Sequence, residues 1–312
     1  MIKSLIRTLT RPIFNKIRLI VREELNDFYQ LSSPIAVAFP QSPPTECDPP
    51  ALPEQPVQPV SPPVSIKSER LELFKTATGN FFLPADAHGD IIANAIKNNA
   101  IFDTEIYNTA KKFISPHSTA LDIGSNFGQM AILMAKHVQE GGVVHAFEAD
   151  PFLFDILTKN IEVNTARVIP HPGAVYHTSG ETLFFPEQDF IEFPTYGSYG
   201  IDYVHGKGRP VKSIAIDDLV LGCPVSFMKI DVQGGDLFVM QGARATIDKY
   251  RMPIIFEYEY LFETRQNLSF QEYIDFVASI DYRFVRVFSG SNFLILPREA
   301  PTSLLELARR DD

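Results

Sequence analysis

Residues 120–128 read Ala-Leu-Asp-Ile-Gly-Ser-Asn-Phe-Gly, and twenty residues past Gly128 the run Val143–Glu148 closes on an acid. An apolar run, a glycine turn, a helix and a second apolar run make a strand–turn–helix–strand unit. In a parallel α/β sheet, ligands bind outside the carboxyl ends of the strands. Glycines there let the backbone approach a ligand, and a helix starting at Phe127 offers free N–H groups. Glu148, at the tip of the second strand, is placed to accept two ribose hydroxyl hydrogens. The unit therefore predicts a nucleoside cofactor.

Working outward, elements alternate regularly. Helical patterns fall at 91–98 and 104–114, after a polar, turn-rich lead-in at 74–90. The strand Thr119–Ile123 is followed by a helix at 127–138, and Val143–Glu148 by a helix at 151–164. Asp150-Pro151 starts that helix, with proline at its first position. A proline-interrupted third strand spans 168–176. An irregular stretch at 177–212 contains a hairpin around 181–185 and a Gly/Tyr-rich loop at 194–208. A fourth strand at 227–231, a helix at 236–250, a fifth strand at 253–259 and a helix at 270–280 follow. The runs 283–289 and 292–296 flank Ser-Gly-Ser and read as an antiparallel hairpin. Strands alternating with helices predict a doubly wound, mostly parallel α/β sheet, and the hairpin adds an antiparallel last strand.

The 312-residue chain has a net charge of −10 and 45% apolar residues, enough for a full core. An acidic balance argues against a nucleic-acid partner recognised by blanketing phosphates. Cys47 and Cys223 are isolated, which fits a reducing, cytoplasmic setting and no disulfide framework. His171, His177 and His205 lack ligand spacing, so no metal is expected.

Two segments precede the domain. Residues 1–32 place Ile13, Phe14, Ile17, Ile20 and Val21 at helical spacing among Lys3, Arg7, Arg11, Lys16, Arg18 and Arg22. This basic amphipathic pattern suits peripheral contact of 1–31 with the inner face of a membrane, or docking to a partner. Eleven of the 24 prolines fall between Pro34 and Pro63, which marks 33–65 as an extended, disordered linker. The domain is expected over 66–300, with a tail at 301–312.

Three constellations carry chemistry. A nicotinamide fingerprint would read Gly-x-Gly-x-x-Gly, whereas this chain has Gly124-x-x-x-Gly128 with Asn126 between. Asp122, before the turn, can anchor an ammonium group, which a dinucleotide lacks. Met228–Asp236 ends the fourth strand, beside the first, so Asp231 faces the same crevice and is the leading candidate base. Asp236 reads as a helix cap. In 256–260, alternation puts Glu257 and Glu259 on one face of the fifth strand, with one of them reaching the crevice. Glu257 is the second candidate base and His205 a distant third. Tyr196, Tyr199, Tyr203, Asp202 and Arg209 make the 194–208 loop a candidate acceptor wall.

These residues together resemble the FkbM-type methyltransferases, of the class I S-adenosylmethionine-dependent enzymes. The likeness rests on residues 121–128, Glu148 with Asp150-Pro151, 229–234 and 253–257, and covers roughly 80–297. It implies a seven-stranded Rossmann-like sheet with S-adenosyl-L-methionine as cofactor. It also implies that Asp122, Gly124, Asn126 and Gly128 line the methionine and ribose, Glu148 holds the ribose hydroxyls and Ala174 borders the adenine. Asp231 would then sit by the methyl and the acceptor. Two positions depart from the family pattern. Gln233 stands where Glu is more usual, and Tyr176-His177 replaces Ser-Asp. The expected reaction is O-methylation of a hydroxyl on a saccharide, glycolipid or related small molecule. The competing readings are an inactive cofactor-binding or docking protein and, more remotely, an NAD-dependent oxidoreductase.

Overall fold

The seven strands of the main sheet run in the order β5-β4-β3-β9-β10-β12-β11. In this computed structural model, which describes residues 71–309 apart from 86, 88, 189–194 and 290, they are β3 (Thr119–Ile123), β4 (Val143–Glu148), β5 (Val168–Pro172), β9 (Val225–Ile230), β10 (Ile254–Glu257), β11 (Tyr282–Val287) and β12 (Asn292–Pro297). β12 pairs antiparallel with both β10 and β11, whereas β3, β4, β5, β9 and β10 are mutually parallel. The doubly wound sheet and its antiparallel last strand stand as the sequence predicts. The N-terminal helix, the proline-rich linker and the contact read from 1–31 lie outside the described residues.

All five residues of β3 are buried, as a central parallel strand covered on both faces requires. Side chains of a strand alternate between faces. Leu121, Ile123, Met228 and Ile230 therefore pack with α5 (Asp236–Gln241), α6 (Arg244–Tyr250) and α8 (Phe270–Ser279). Ala120 and Phe227 pack on the opposite face with α2 (Thr104–Phe113), α3 (Gln129–Val138) and α4 (Pro151–Asn164). Phe227 and Phe256 are fully buried, each worth about 1.5–3 kcal/mol relative to exposure.

Several elements differ from the sequence reading, each for a local reason. The lead-in holds an antiparallel hairpin of β1 (Leu71–Lys75) and β2 (Asn80–Pro84). Its free edge is satisfied by side chains of α4: Asn160 exchanges hydrogen bonds with Phe82 N and O, and Asn164 with Asn80 N and O. The third strand breaks at Gly173, beyond which β6 (Ala174–Val175) joins β8 (Arg209–Ile214) and β7 (Thr182–Phe185) in a separate sheet. A Cβ on Gly173 would lie 2.6 Å from Lys212 O. The helix expected over 236–250 is two helices, interrupted where Gly242 passes Tyr176 O too closely for any Cβ. A short α7 (Tyr260–Arg265) was not foreseen. Residues read as a C-terminal tail form α9 (Thr302–Arg309), which buries Leu305 and Ala308 in the core.

Candidate active site

A cleft of about 290 Å³ opens beyond the carboxyl ends of β3, β4, β9 and β10. Its base begins with the opening motif. Gly124 N and Ser125 N both donate to Phe147 O, at 3.0 and 2.9 Å, which ties the turn after β3 to β4. Gly124 has φ +82, and a Cβ there would sit 1.8 Å from the carbonyl oxygen of Asp231. The glycine thus lets the ends of β3 and β9 converge, beyond admitting a ligand. Asn126 is left-handed at φ 50, a conformation Asn tolerates better than most residues. That turn directs its N–H to Glu148 Oε2 at 2.8 Å.

Glu148 is buried at the cleft wall, and its other oxygen accepts from Asp150 N at 2.8 Å. Burial pushes its pKa up to about 7, against the opposing pull of these backbone N–H groups. Asp150 caps α4 through Phe152 N, as predicted, and also accepts from Arg209 and Gln188. Arg209 is therefore engaged with Asp150, and stacks over Phe185, instead of facing an acceptor. Asp202 turns back to cap the N–H groups of Val204 and His205. His205 lies in that exposed turn, and neither it nor Asp202 lines the cleft.

Four predicted cofactor residues line the cleft: Gly124, Asn126, Glu148 and Ala174. Gly128 and Asp122 stand behind it. Gly128 starts α3 at φ +84, and a Cβ there would meet Leu157 Cδ1 at 2.5 Å. Asp122 is fully buried, and the ammonium its carboxylate faces is that of Lys229, 3.8 Å away.

Asp231 and Glu257 both line the cleft, at the ends of adjacent parallel strands. Lys229 reaches Asp231 Oδ2 at 3.1 Å from beneath. Gln233 Nε2 bridges Asp231 Oδ1 at 2.9 Å and Glu257 Oε2 at 2.6 Å. Burial would raise the Asp231 pKa, but the Lys229 ammonium and the hydrogen bonds hold it below its ordinary value. Glu257 goes the other way: burial first, then the neighbouring Asp231 charge, push it well up. Their surroundings thus set the two carboxyls apart, Asp231 as the stronger acid and Glu257 as the weaker. Glu259 lines the cleft as well, so both acids of this strand end reach it. Arg251 pairs with Glu299.

Sequence reasoning missed four contributors. Lys229 supplies the buried counter-charge; its place one pleat before Asp231, on the same face, was the available signal. Asp103, left-handed at φ 54, lines the cleft with a pKa pushed up to about 6 by burial and by Asp231. Asp236 does not cap its own helix; its carboxylate accepts from Glu257 N at 3.0 Å and Val232 N at 3.4 Å, holding both strand ends. Asp90 caps α1 (Ile91–Lys97) through Ala93 N and also accepts from Tyr196 N and Thr195 Oγ1. It pins the roof of the cleft, where Tyr196, Tyr199 and Tyr203 are among the lining residues.

The arrangement fits an elongated nucleoside cofactor bearing a positive centre. Glu148 offers an oriented carboxylate at one wall, Gly124 lines the floor, and Asp103, Asp231 and Glu259 are the acids around it.

Comparison with known proteins agrees. The family model for the methyltransferase FkbM domain matches residues 122–284. The hexuronic acid methyltransferase AglP of Haloferax volcanii is 29% identical over 138 residues, covering 43% of this chain and 53% of AglP. The chain thus spans about half the length of that curated relative. Among solved structures, methyltransferase FkbM from Methylobacillus flagellatus is 17% identical, covers 58% of this chain and 44% of its own, and has a TM-score of 0.39. M. jannaschii TYW2, solved with AdoMet, is 12% identical, covers 74% and 85%, and has a TM-score of 0.33. The matched span begins at Asp122 and takes in Glu148, Asp231 and Glu257, the residues that shape the cleft, and this chain belongs to the FkbM family of S-adenosylmethionine-dependent methyltransferases.

Proposed function

We propose that the enzyme methylates a hydroxyl of a saccharide or a saccharide-bearing small molecule, with Asp231 as general base. The observation that carries this reading is the setting of Asp231: a carboxylate lining the cleft, its two oxygens fixed by Lys229 and Gln233. The cofactor, when bound, supplies a methyl group already activated on a sulfonium centre. The protein's task is to align an acceptor oxygen and exclude water. Asp231 takes the hydroxyl proton as the new oxygen–carbon bond forms, a contribution of about 10²–10⁴-fold. Glu148 orients the ribose through its hydroxyls. Tyr196, Tyr199 and Tyr203, whose rings have apolar faces and polar tips, line the acceptor side.

The saccharide class draws support from the roof tyrosines and from the likeness to AglP, a hexuronic acid methyltransferase matched over part of its length. The oxidoreductase alternative falls with the family assignment. An inactive scaffold is disfavoured by Asp231 and Glu257 standing together with oriented partners. The test is S-adenosylhomocysteine release with a panel of neutral, amino and uronic methyl glycosides beside simple alcohols and phenols. The reading expects turnover with at least one glycoside. Turnover confined to non-saccharide alcohols contradicts the acceptor class, and none at all contradicts the enzyme reading.

A further inference from the structure

Asp231 and Glu257 end neighbouring parallel strands, so the fold brings two carboxylates side by side at the cleft. Between them reaches Gln233, whose backbone is left-handed at φ 58, followed by Gly234 and Gly235 at φ 89 and 109. A residue with a Cβ is strained in that region, so the turn is held there by its surroundings. Part of the hold comes from the roof: a Cβ on Gly200 would sit 2.3 Å from Gln233 O. The turn folds the Gln233 side chain back over the strand ends. Its Nε2 then lies 2.9 Å from Asp231 Oδ1 and 2.6 Å from Glu257 Oε2.

We propose that Gln233 is a positioning residue, whose uncharged amide clamps Asp231 and Glu257 into one proton-sharing pair with the anion on Asp231. This rests on Asp231 being the base, and deepens that reading. An amide nitrogen carries two hydrogens and can serve two acceptors at once, which a carboxylate in its place cannot. Lys229 on Asp231 Oδ2 and Gln233 on Oδ1 fix both oxygens of that carboxylate beside Glu257, which hydrogen-bonds to it directly.

The groups facing this pair come from every neighbouring element. Lys229 lies on β9 itself, Asp122 on β3, Asp103 at the entry to α2, Asp236 at the start of α5 and Glu259 just past β10. Four further carboxyls and one ammonium already face the pair or its lysine. A third anion inserted between Asp231 and Glu257 would favour keeping protons on the pair.

The test is a carboxyl titration by ¹³C NMR, from about pH 2 to 9, of protein saturated with S-adenosylhomocysteine. Resonances are assigned with Asp231→Asn and Glu257→Gln. In the unsubstituted protein Asp231 titrates below Glu257. Gln233→Glu, which adds charge, and Gln233→Met, which removes both donors at similar volume, each move the Asp231 titration up by about one unit, a tenfold change in its proton equilibrium. Thermal melts identify any variant that fails to fold, in which case the other carries the test. Titrations that superpose on the unsubstituted protein overturn the proposal. Because this readout needs no acceptor, it is distinct from the base assignment. An active Asp231→Asn enzyme refutes the base, while unmoved carboxyl titrations refute the clamp.

Discussion

Gly124 and Asp231 meet backbone to backbone: a Cβ on Gly124 would lie 1.8 Å from the Asp231 carbonyl oxygen. The most legible motif in the chain is thereby fastened to the proposed base. Asp231 N donates to Ile123 O at 3.0 Å, which closes the same junction from the other side.

Gly124→Ala is predicted to be severe. The new methyl meets backbone, not a flexible side-chain tip, and φ +82 is itself unfavourable for alanine. Stability should fall by about 2 kcal/mol or more, with cofactor affinity falling in step. Urea denaturation and calorimetry check this; a variant with unchanged midpoint and affinity contradicts the junction.

Lys229→Met removes the buried cation between Asp122 and Asp231, which lie 3.8 and 3.1 Å from its ammonium. Losing one partner of a buried pair costs about 3–5 kcal/mol. Adding Asp122→Asn to Lys229→Met should recover part of the loss, because one buried charge is then gone. The comparison is of denaturation midpoints among the two single variants and the double.

Cofactor binding should depend on pH through Glu148. Its pKa lies near 7 in the free cleft because burial disfavours the anion. In the proposed mode the ribose hydroxyls donate to the anion, so binding favours the ionised form and releases a proton when Glu148 starts protonated. Affinity therefore rises as pH increases through about 7 and levels off above it. Calorimetry at pH 6 to 8 in buffers of different ionisation enthalpy reads both effects. Glu148→Gln should weaken binding and flatten the profile around that value.

The amphipathic, basic stretch 1–31 gives a prediction of its own. Deleting residues 1–64 should leave cofactor affinity unchanged and weaken pelleting with vesicles rich in anionic lipid. Equal pelleting of both forms would show that the stretch serves something other than a membrane surface.

How much of this was legible depended on whether local pattern or tertiary approach decided the outcome. β3, β4 and α4 follow from unbroken apolar runs and a proline start, and their bounds match the reading. Glu148, Asp231 and Glu257 were placed by strand ends, a rule of topology that sequence spacing reveals. The β1–β2 hairpin was hidden because Asn160 and Asn164, some 80 residues away, complete its edge. The breaks at Gly173 and Gly242 answer to distant carbonyls, those of Lys212 and Tyr176. Asp122 was read as a ligand for the cofactor because a carboxylate ending the first strand can anchor an ammonium group. Its depth beneath the floor, against Lys229, depends on how tightly β3 and β9 pack. Gln233 looked like the loss of a carboxylate, and only its left-handed turn shows it spanning two others.

The central claim is that Asp231 removes the acceptor proton. It is tested most directly by single-turnover methyl transfer with Asp231→Asn, alongside its S-adenosylmethionine affinity by calorimetry. The account predicts a rate at least about 100-fold below the unsubstituted enzyme, with affinity changed by no more than about threefold, equivalent to under 1 kcal/mol. Methyl transfer at the unsubstituted rate with unchanged affinity would contradict it.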